Sequence, residues 1–235
     1  MKTKFDLITK YISNRISEKH PELVRFSIKI SEESLYFEHK EFGFNRRLFV
    51  GLGITEYPKS MIVQGGYQCW LEVIEVEEIL HNLKVKHNLH YQELNPTIKF
   101  NIYTSPKKDE VWDSFKKYAD IDLATNQEVL DTLCNHYIEI IGKNFIPFWE
   151  KYSYLQYIND EIIDKVSEDE LNNYLPGMRS FKKLIIMRIC KNKEYEIYKV
   201  FLNQLISKAV KEDSKTYLPY KNLFDEMVQI IESKY

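Results

Sequence analysis

From about residue 125 onward, apolar residues recur at helical spacing and no segment alternates as a strand would. Leu130, Leu133 and Tyr137 are three and four residues apart, which places their side chains on one face of a helix. The segments 125–128 and 167–170 both match the capping box that opens helices, a Thr or Ser followed three residues later by Glu. The second half is therefore predicted to be helical throughout. Further helices are predicted over about residues 181–190, which should form the central buried helix, 193–211 and 219–233.

The first half of the sequence carries a different signal, because several of its segments alternate between apolar and polar residues. After a predicted amphipathic helix at 3–18, the apolar residues Val24, Phe26 and Ile28 face one side of an extended chain. Further strands are predicted at 35–37, 46–55, 61–64, 67–74 and 97–103, with Gly65-Gly66 as a hairpin turn and a helix from residue 75.

Strands this close together leave no room for helical crossovers, so the sheet is expected to be mostly antiparallel. A block of strands followed by a block of helices is typical of an α+β fold. We therefore predict an α+β fold, with an N-terminal helix plus a mostly antiparallel sheet followed by an all-helical C-terminal half. The best internal boundary lies at residue 120, between a 1–120 sheet region and a 121–235 helical region, unless the two form one continuous domain.

Composition and charge narrow the classes of function. Hydrophobic residues make up 44% of the 235 residues, enough for a core without disulfides, and the three cysteines are too widely spaced for a zinc motif. The 33 basic and 35 acidic residues nearly cancel, and without a basic stripe nucleic acid is disfavoured as a partner. With no apolar stretch of membrane-spanning length and no signal peptide, we expect a cytoplasmic location and no membrane partner.

One option for function is a module that associates with nucleic acid. It would need six basic residues to converge on one face, namely Arg46, Arg47, Lys107, Lys108, Lys116 and Lys117.

One cluster resembles a metal site. Glu77 and His81 are four residues apart and share a helix face, and His87 and His90 lie just beyond them. Zinc and iron accept His and carboxylate ligands in this number. The pattern is not HExxH, however, and the helix is expected to end between the histidines, so a structural or solvated role is favoured. We predict no metal, no cofactor and no catalytic residue.

The aromatic content is the most informative feature for binding. The sequence has 17 Tyr, 13 Phe and 3 Trp, and the run at 145–157 is denser than one helix face can bury. Each single member is expected in the core, while the run as a whole fits either a core or an exposed interaction surface. The candidate partner-binding residues are Trp70, Phe148, Trp149, Tyr152, Tyr154 and Tyr157.

The order of these segments supports a resemblance. The 46–54 strand ends in Gly-Leu-Gly-Ile, Trp70 leads into 73–80, and a helix carries Phe-Ile-Pro-Phe-Trp-Glu-Lys-Tyr at 145–152. This order resembles a loose group of small bacterial α+β proteins of unknown function, some of which are found beside polymorphic toxins and are suspected immunity proteins. The resemblance implies an α+β binding protein and brings no catalytic residues with it.

The sequence therefore predicts a non-enzymatic module that binds another protein. One form of such a module is an immunity-type inhibitor of a bacterial toxin, which would cover the toxin's active site with an aromatic and acidic face. The alternative is a small metal-dependent enzyme that uses the Glu/His cluster at 77–90. The absence of a catalytic motif favours the binding module over the enzyme.

Overall fold

The computed structural model describes the backbone of residues 4–26, 34–39, 46–57, 60–90, 96–118, 121–123 and 125–235, and the side-chain surroundings of 7–23, 69–90 and the same ranges from 96 onward. The α-helices are α1 Lys4–Lys19, α2 Ile74–Lys86, α3 Lys108–Asp113, α4 Gln127–Ile140, α5 Ile146–Tyr152, α6 Leu155–Ile158, α7 Arg179–Ile189, α8 Tyr195–Glu212 and α9 Ser214–Lys234. The strands are β1 Leu23–Phe26, β2 Ser34–His39, β3 Arg46–Tyr57, β4 Ser60–Val73 and β5 Ile98–Lys99. Shorter helical turns are the π-helices Ile141–Phe145 and Asn159–Ile163 and the 3-10 helices Lys116–Tyr118 and Glu170–Asn173.

The predicted α+β fold is wrong, because helix dominates the chain. The helices and helical turns hold more than three times as many residues as the strands. Most buried apolar side chains in the described part of the chain also belong to helices. Packing between helices therefore supplies most of this core, and the sheet is the minor component. The helices predicted at 3–18, 181–190, 193–211 and 219–233 are confirmed as α1, α7, α8 and α9.

The strands follow one another in the sheet in chain order, from β1 to β5. β1 pairs antiparallel with β2, and β2 pairs antiparallel with β3. The predicted hairpin at Gly65-Gly66 is wrong, since β4 runs through both glycines as a single strand. Glycine permits a turn but does not require one, because it is also tolerated inside a strand where it marks a bulge or a close approach.

Only two residues of the predicted strand at 97–103 form a strand, β5. The backbone that follows forms hydrogen bonds with nearby side chains instead. The Asn101 side-chain oxygen accepts hydrogen bonds from the backbone N–H groups of Tyr103 and Thr104, at 2.9 and 3.1 Å. The Thr104 hydroxyl donates to the Lys99 carbonyl at 2.6 Å. Such contacts compete with ladder pairing and bend the chain into a turn.

The chain forms two compact units, one of residues 1–71 with 99–151 and the other of 72–98 with 152–235. This interleaving differs from the predicted regions 1–120 and 121–235, although residue 120 itself lies outside the described residues.

The first unit is built around α1 and α4, which pack on each other. Ile12 and Ile16 of α1 are fully buried, as their spacing of four residues predicts for one helix face. α4 begins one residue later than its capping box suggests, because the side chain of Asn126, and not that of Thr125, accepts the Val129 N–H at 3.1 Å. The cap is therefore Asn126, a residue type equally suited to the role.

α7 is the central helix of the second unit, since α2, α8 and α9 all pack on it. Its side chains Leu184, Ile185 and Ile186 are fully buried. This confirms the central buried helix that was predicted from the apolar run at 181–190. α8 and α9 also pack on each other, so α8 has one face committed to the interior of the unit.

Candidate functional site

The predicted partner-binding aromatics belong mostly to the interior. Trp70, Phe148, Trp149 and Tyr152 are buried, Tyr157 is half-buried, and Tyr154 alone of the six is exposed, at 69%. The six residues therefore do not form an exposed aromatic patch.

Part of the reason lies in the first unit, where one helical run carries Phe145, Phe148 and Trp149. A π-helical turn, Ile141–Phe145, joins α4 to α5 and places Phe145 and Phe148 around Phe100. The Phe100 ring meets both edge-on, with ring centroids 5.3 and 5.6 Å apart. Edge-to-face contacts of this kind are the preferred geometry of aromatic pairs, so the dense run fills a core.

The metal-ligand candidates do not converge either. Glu77 is 2% exposed and forms an ion pair with Lys182, which is 3% exposed, at 2.8 Å. The Lys182 ammonium also donates to the carbonyls of Pro96 and Pro176, at 2.8 and 2.9 Å, so all three of its protons have acceptors. The Glu77 carboxylate is thus already neutralised by a buried cation.

The same carboxylate closes a longer network. The Val73 N–H donates to the Thr97 hydroxyl at 2.9 Å, and that hydroxyl donates to Glu77 Oε1 at 2.7 Å. Because every member has its partner, the network is a satisfied polar connection inside the second unit. A buried pair of this kind is costly to break, and it holds α2 to α7.

The histidines of the predicted cluster do not join Glu77 in a metal site among the described residues. His87 Nε2 contacts Glu226 of α9 at 3.1 Å, His81 is half-buried on α2, and His90 is exposed. Across the residues whose positions are described, no three His, Cys, Asp or Glu side chains gather as a metal site would require.

The basic residues of the nucleic-acid option are partly neutralised by their neighbours. Lys108 lies 3.7 Å from Asp109, and Lys116 lies 2.8 Å from Asp113. The side chains of Arg46 and Arg47 lie outside the described residues. Two of the six basic residues therefore already have an acidic neighbour.

Ser114 and His136 of the first unit form a hydrogen bond in which the serine is the acceptor, which does not suit a catalytic serine. The Ser114 hydroxyl donates to the Val111 carbonyl at 2.6 Å, so in its 2.8 Å contact with His136 Nε2 it accepts. A catalytic serine would donate its proton to the imidazole instead. Burial, reinforced by the charge of Lys117, lowers the pKa of His136, which keeps the ring neutral as it packs on Phe115.

The strongest candidate site is the outer side of α8. Six of the twelve exposed large hydrophobic residues in the described part fall within 197–218. Ile197, Phe201 and Leu205 of α8 are 67%, 49% and 53% exposed and recur every four residues, so they form one stripe. We call these three residues the α8 outer face. Val200 of α8 and Tyr217 and Leu218 of α9 are the other exposed members.

α8 has this face because it carries two apolar stripes where one would suffice. Its inner stripe, Tyr195, Tyr198, Leu202 and Ile206, is buried in the unit. A helix on the surface of a globular unit normally pairs one apolar stripe with a polar opposite side. The outer stripe is therefore surplus to folding of the unit, and exposed apolar surface of this extent commonly marks an interaction site.

A groove of about 470 Å³ runs beside the α8 outer face. Phe181, Leu202, Ile206 and Ala209 supply apolar walls, and Leu205 belongs to both the groove and the face. The volume falls within the range of binding pockets, roughly 300–1,000 Å³. The groove therefore extends the apolar surface inward from the stripe.

Two opposite charges mark the ends of the α8 outer face. Glu194, the residue that precedes α8, and Lys208 in its last half are both exposed. Neither side chain makes an ion pair or hydrogen bond to another residue within the described portion of the chain. Both charges are therefore available to a partner.

Sequence reasoning missed this site because it searched for aromatic density. The signal that would have found it is periodicity, since Ile197, Phe201 and Leu205 follow the helical repeat one residue out of step with Tyr198, Leu202 and Ile206. Two apolar stripes on a helix at the surface leave one of them uncovered.

Comparisons with models of protein families, with curated proteins and with solved structures find no match to this chain. Among the described residues, no helix combines the length and apolar character that crossing a bilayer requires.

Proposed function

We propose that this protein is a non-enzymatic protein-binding module that docks a partner through the α8 outer face. The observation that carries the proposal is the stripe of Ile197, Phe201 and Leu205, three large apolar side chains about half exposed or more on a single helix. Such a surface loses free energy when another apolar surface covers it, at about 25 cal/mol per Å².

The partner that fits this surface is a protein helix with an apolar stripe of its own. Residues spaced by four form ridges along a helix, and ridges of one helix pack into the grooves of another. The groove beside α8 offers room for side chains that reach past the stripe. An inhibitor of immunity type would be one form of such a module and remains a prediction.

The metal-dependent alternative receives less support. Its central carboxylate, Glu77, is engaged by Lys182 and Thr97, and His87 is held by Glu226. A metal would have to displace a buried ion pair before it could bind there.

The test is photo-crosslinking in the source cells with a benzophenone amino acid placed at Phe201. The matched control carries the same group at Tyr154, an exposed aromatic position of the second unit that lies outside α8. We expect a discrete crosslinked protein from position 201, its loss when Leu205→Glu is added, and no such product from position 154.

The mass of the crosslinked product distinguishes a second copy of this chain from a different protein. A product of about twice the 28.3 kDa chain mass contains a second copy, and any other mass contains a different protein. Equal, diffuse labelling from positions 201 and 154, or labelling that Leu205→Glu leaves unchanged, contradicts the proposed function.

A further inference from the structure

The α8 outer face has an internal symmetry that points to its partner. Ile197 and Leu205 each lie four residues from Phe201, and Glu194 and Lys208 each lie seven residues from it. At 3.6 residues per turn, these offsets bring all of them to within about 40° of Phe201 around the helix. From Glu194 to Lys208, one side of α8 therefore reads acid, apolar, aromatic, apolar, base, and Glu212 follows at the end of the helix.

A second α8 laid antiparallel across the first, with Phe201 against Phe201, would match this order. Ile197 of each helix would meet Leu205 of the other, and Glu194 of each would meet Lys208 of the other. The arrangement is isologous, because the same patch serves both copies and every contact occurs twice. A parallel arrangement would instead place acid beside acid and base beside base, which is unfavourable.

Glu194 and Lys208 are both accessible for this pairing. Both side chains are exposed, and neither is paired to another residue of the described chain. Glu196 and Lys199 of α8 already have partners, since Lys199 binds Glu196 and Glu232 at 2.6 Å each. Glu194 and Lys208 are therefore two charges of the outer side that the symmetry can bring together.

The area of the exposed apolar surface gives an estimate of how strongly two copies would associate. If the three residues of the α8 outer face and the exposed Val200, Tyr217 and Leu218 beside it each contribute on the order of 100 Å², about half of what a large side chain can bury, one copy offers roughly 500–600 Å². Two copies would then bury about 1,000–1,200 Å², the lower end for specific interfaces. A reversible dimer with a Kd on the order of 10 µM is expected from an interface of this size.

We infer that the partner of the α8 outer face is a second copy of this chain, docked antiparallel with Phe201 at the twofold axis and Glu194 paired to Lys208 of the other copy. This inference rests on the proposed function, because it assigns the occupant of the same docking surface.

The test uses the purified full chain in sedimentation experiments from about 1 to 200 µM, a range that brackets the expected Kd. The wild-type mass should rise from 28.3 kDa towards twice that value with concentration. Glu194→Lys and Lys208→Glu should each weaken association at least about tenfold, since each places like charges together twice in the dimer. Both residues are exposed, so these variants should fold as the wild type does.

The decisive step is to mix the two single variants in equal amounts. In the antiparallel dimer, the lysine introduced by Glu194→Lys in one chain meets the glutamate introduced by Lys208→Glu in the other. The native pair survives at the opposite end, so association should return to within about threefold of wild type. Phe201→Glu should abolish association and should not join the mixture. Val85→Glu, which changes an equally exposed apolar residue on α2, should leave the dimer intact.

Two results would overturn the inference: a chain that stays monomeric throughout the range, or single variants that do not rescue each other when mixed. If either is found while crosslinking from position 201 captures a different protein, the inference fails and the proposed function stands. If crosslinking also fails, both fall together.

Discussion

The large apolar side chains are buried in the helical run that ends in α5, whereas those on the outer side of α8 are exposed. The first has the densest aromatic sequence in the chain, yet Phe145, Phe148 and Trp149 are buried. The second is less aromatic, yet Ile197 and Phe201 remain exposed. Aromatic density therefore does not indicate surface. What matters is whether the elements around a helix can cover each of its apolar stripes.

The physical difference lies in which sides of each helix are covered. Phe100, which follows β5, packs its ring against the α5 region in the first unit. α8 is covered on one side by α7 and α9 within the second unit. Its other side faces solvent, so the second stripe stays about half exposed or more.

The largest expected effect comes from the buried aromatic run. Trp149→Ala should lower the free energy of unfolding by about 3–5 kcal/mol, because it opens a cavity at a fully buried ring. Tyr154→Ala, in the same aromatic run but 69% exposed, should change it by less than about 0.5 kcal/mol. Urea denaturation measures both. Equal effects would show that the run is not divided between core and surface in this way.

A buried charge in the second unit should give the next largest effect. Lys182→Met leaves the Glu77 carboxylate without its cation in the interior and should cost about 3 kcal/mol in the free energy of unfolding. The double variant Glu77→Leu with Lys182→Met should recover most of that loss, since no unpaired charge remains. If the single variant is as stable as wild type, the pair does not hold α2 to α7.

Two adjacent residues of α8 compare its inner and outer sides directly. Leu202→Ala should lower the free energy of unfolding by about 2–3 kcal/mol, because Leu202 is buried in the inner stripe. Phe201→Ala should change it by less than about 0.5 kcal/mol. Chemical denaturation at low protein concentration, where the dimer is dissociated, is the appropriate measurement. A large loss from Phe201→Ala alone would mean that the outer face contributes to folding.

The smallest expected effect is on the pH dependence of stability. It comes from Glu168, which contacts Tyr198 on the inner side of α8. Burial raises the pKa of Glu168, but the hydrogen bond and charge of Lys183 at 2.9 Å, with hydrogen bonds from Tyr198 and Ser180, outweigh it. The net pKa is lowered, so the ionised form stabilises the fold above the unfolded pKa, and this stability is lost as pH falls.

Stability measured from about pH 5 to pH 3 should therefore decline less steeply in Glu168→Gln than in wild type. Identical slopes for wild type and Glu168→Gln would show that the Glu168 contacts do not survive in solution.

Parts of the fold could be predicted from local pattern. The periodicity of α1, α7, α8 and α9 is strong because each buries one stripe over several turns. Segments without that constraint were misjudged. The alternation at 97–103 suggested a strand, but the Asn101 and Thr104 side chains bend it into a turn. Gly65-Gly66 suggested a turn, but β4 continues through it.

The candidate site could not be predicted from the residue types that were searched. Glu77 and His81 share a helix face as predicted, but Lys182, more than a hundred positions away in sequence, supplies the partner that neutralises Glu77. The density of the aromatic run is visible in the sequence, but which neighbours cover it is not.

The sequence by itself determined where the long helices lie and which side chains share a face, because helical geometry repeats every 3.6 residues whatever surrounds it. It also determined the order of acid, apolar and basic residues along α8. Only the tertiary structure decided which faces are covered, because coverage depends on contacts between residues far apart in the chain. For that reason Trp149 is core and Phe201 is surface, although both are large aromatic residues on helices.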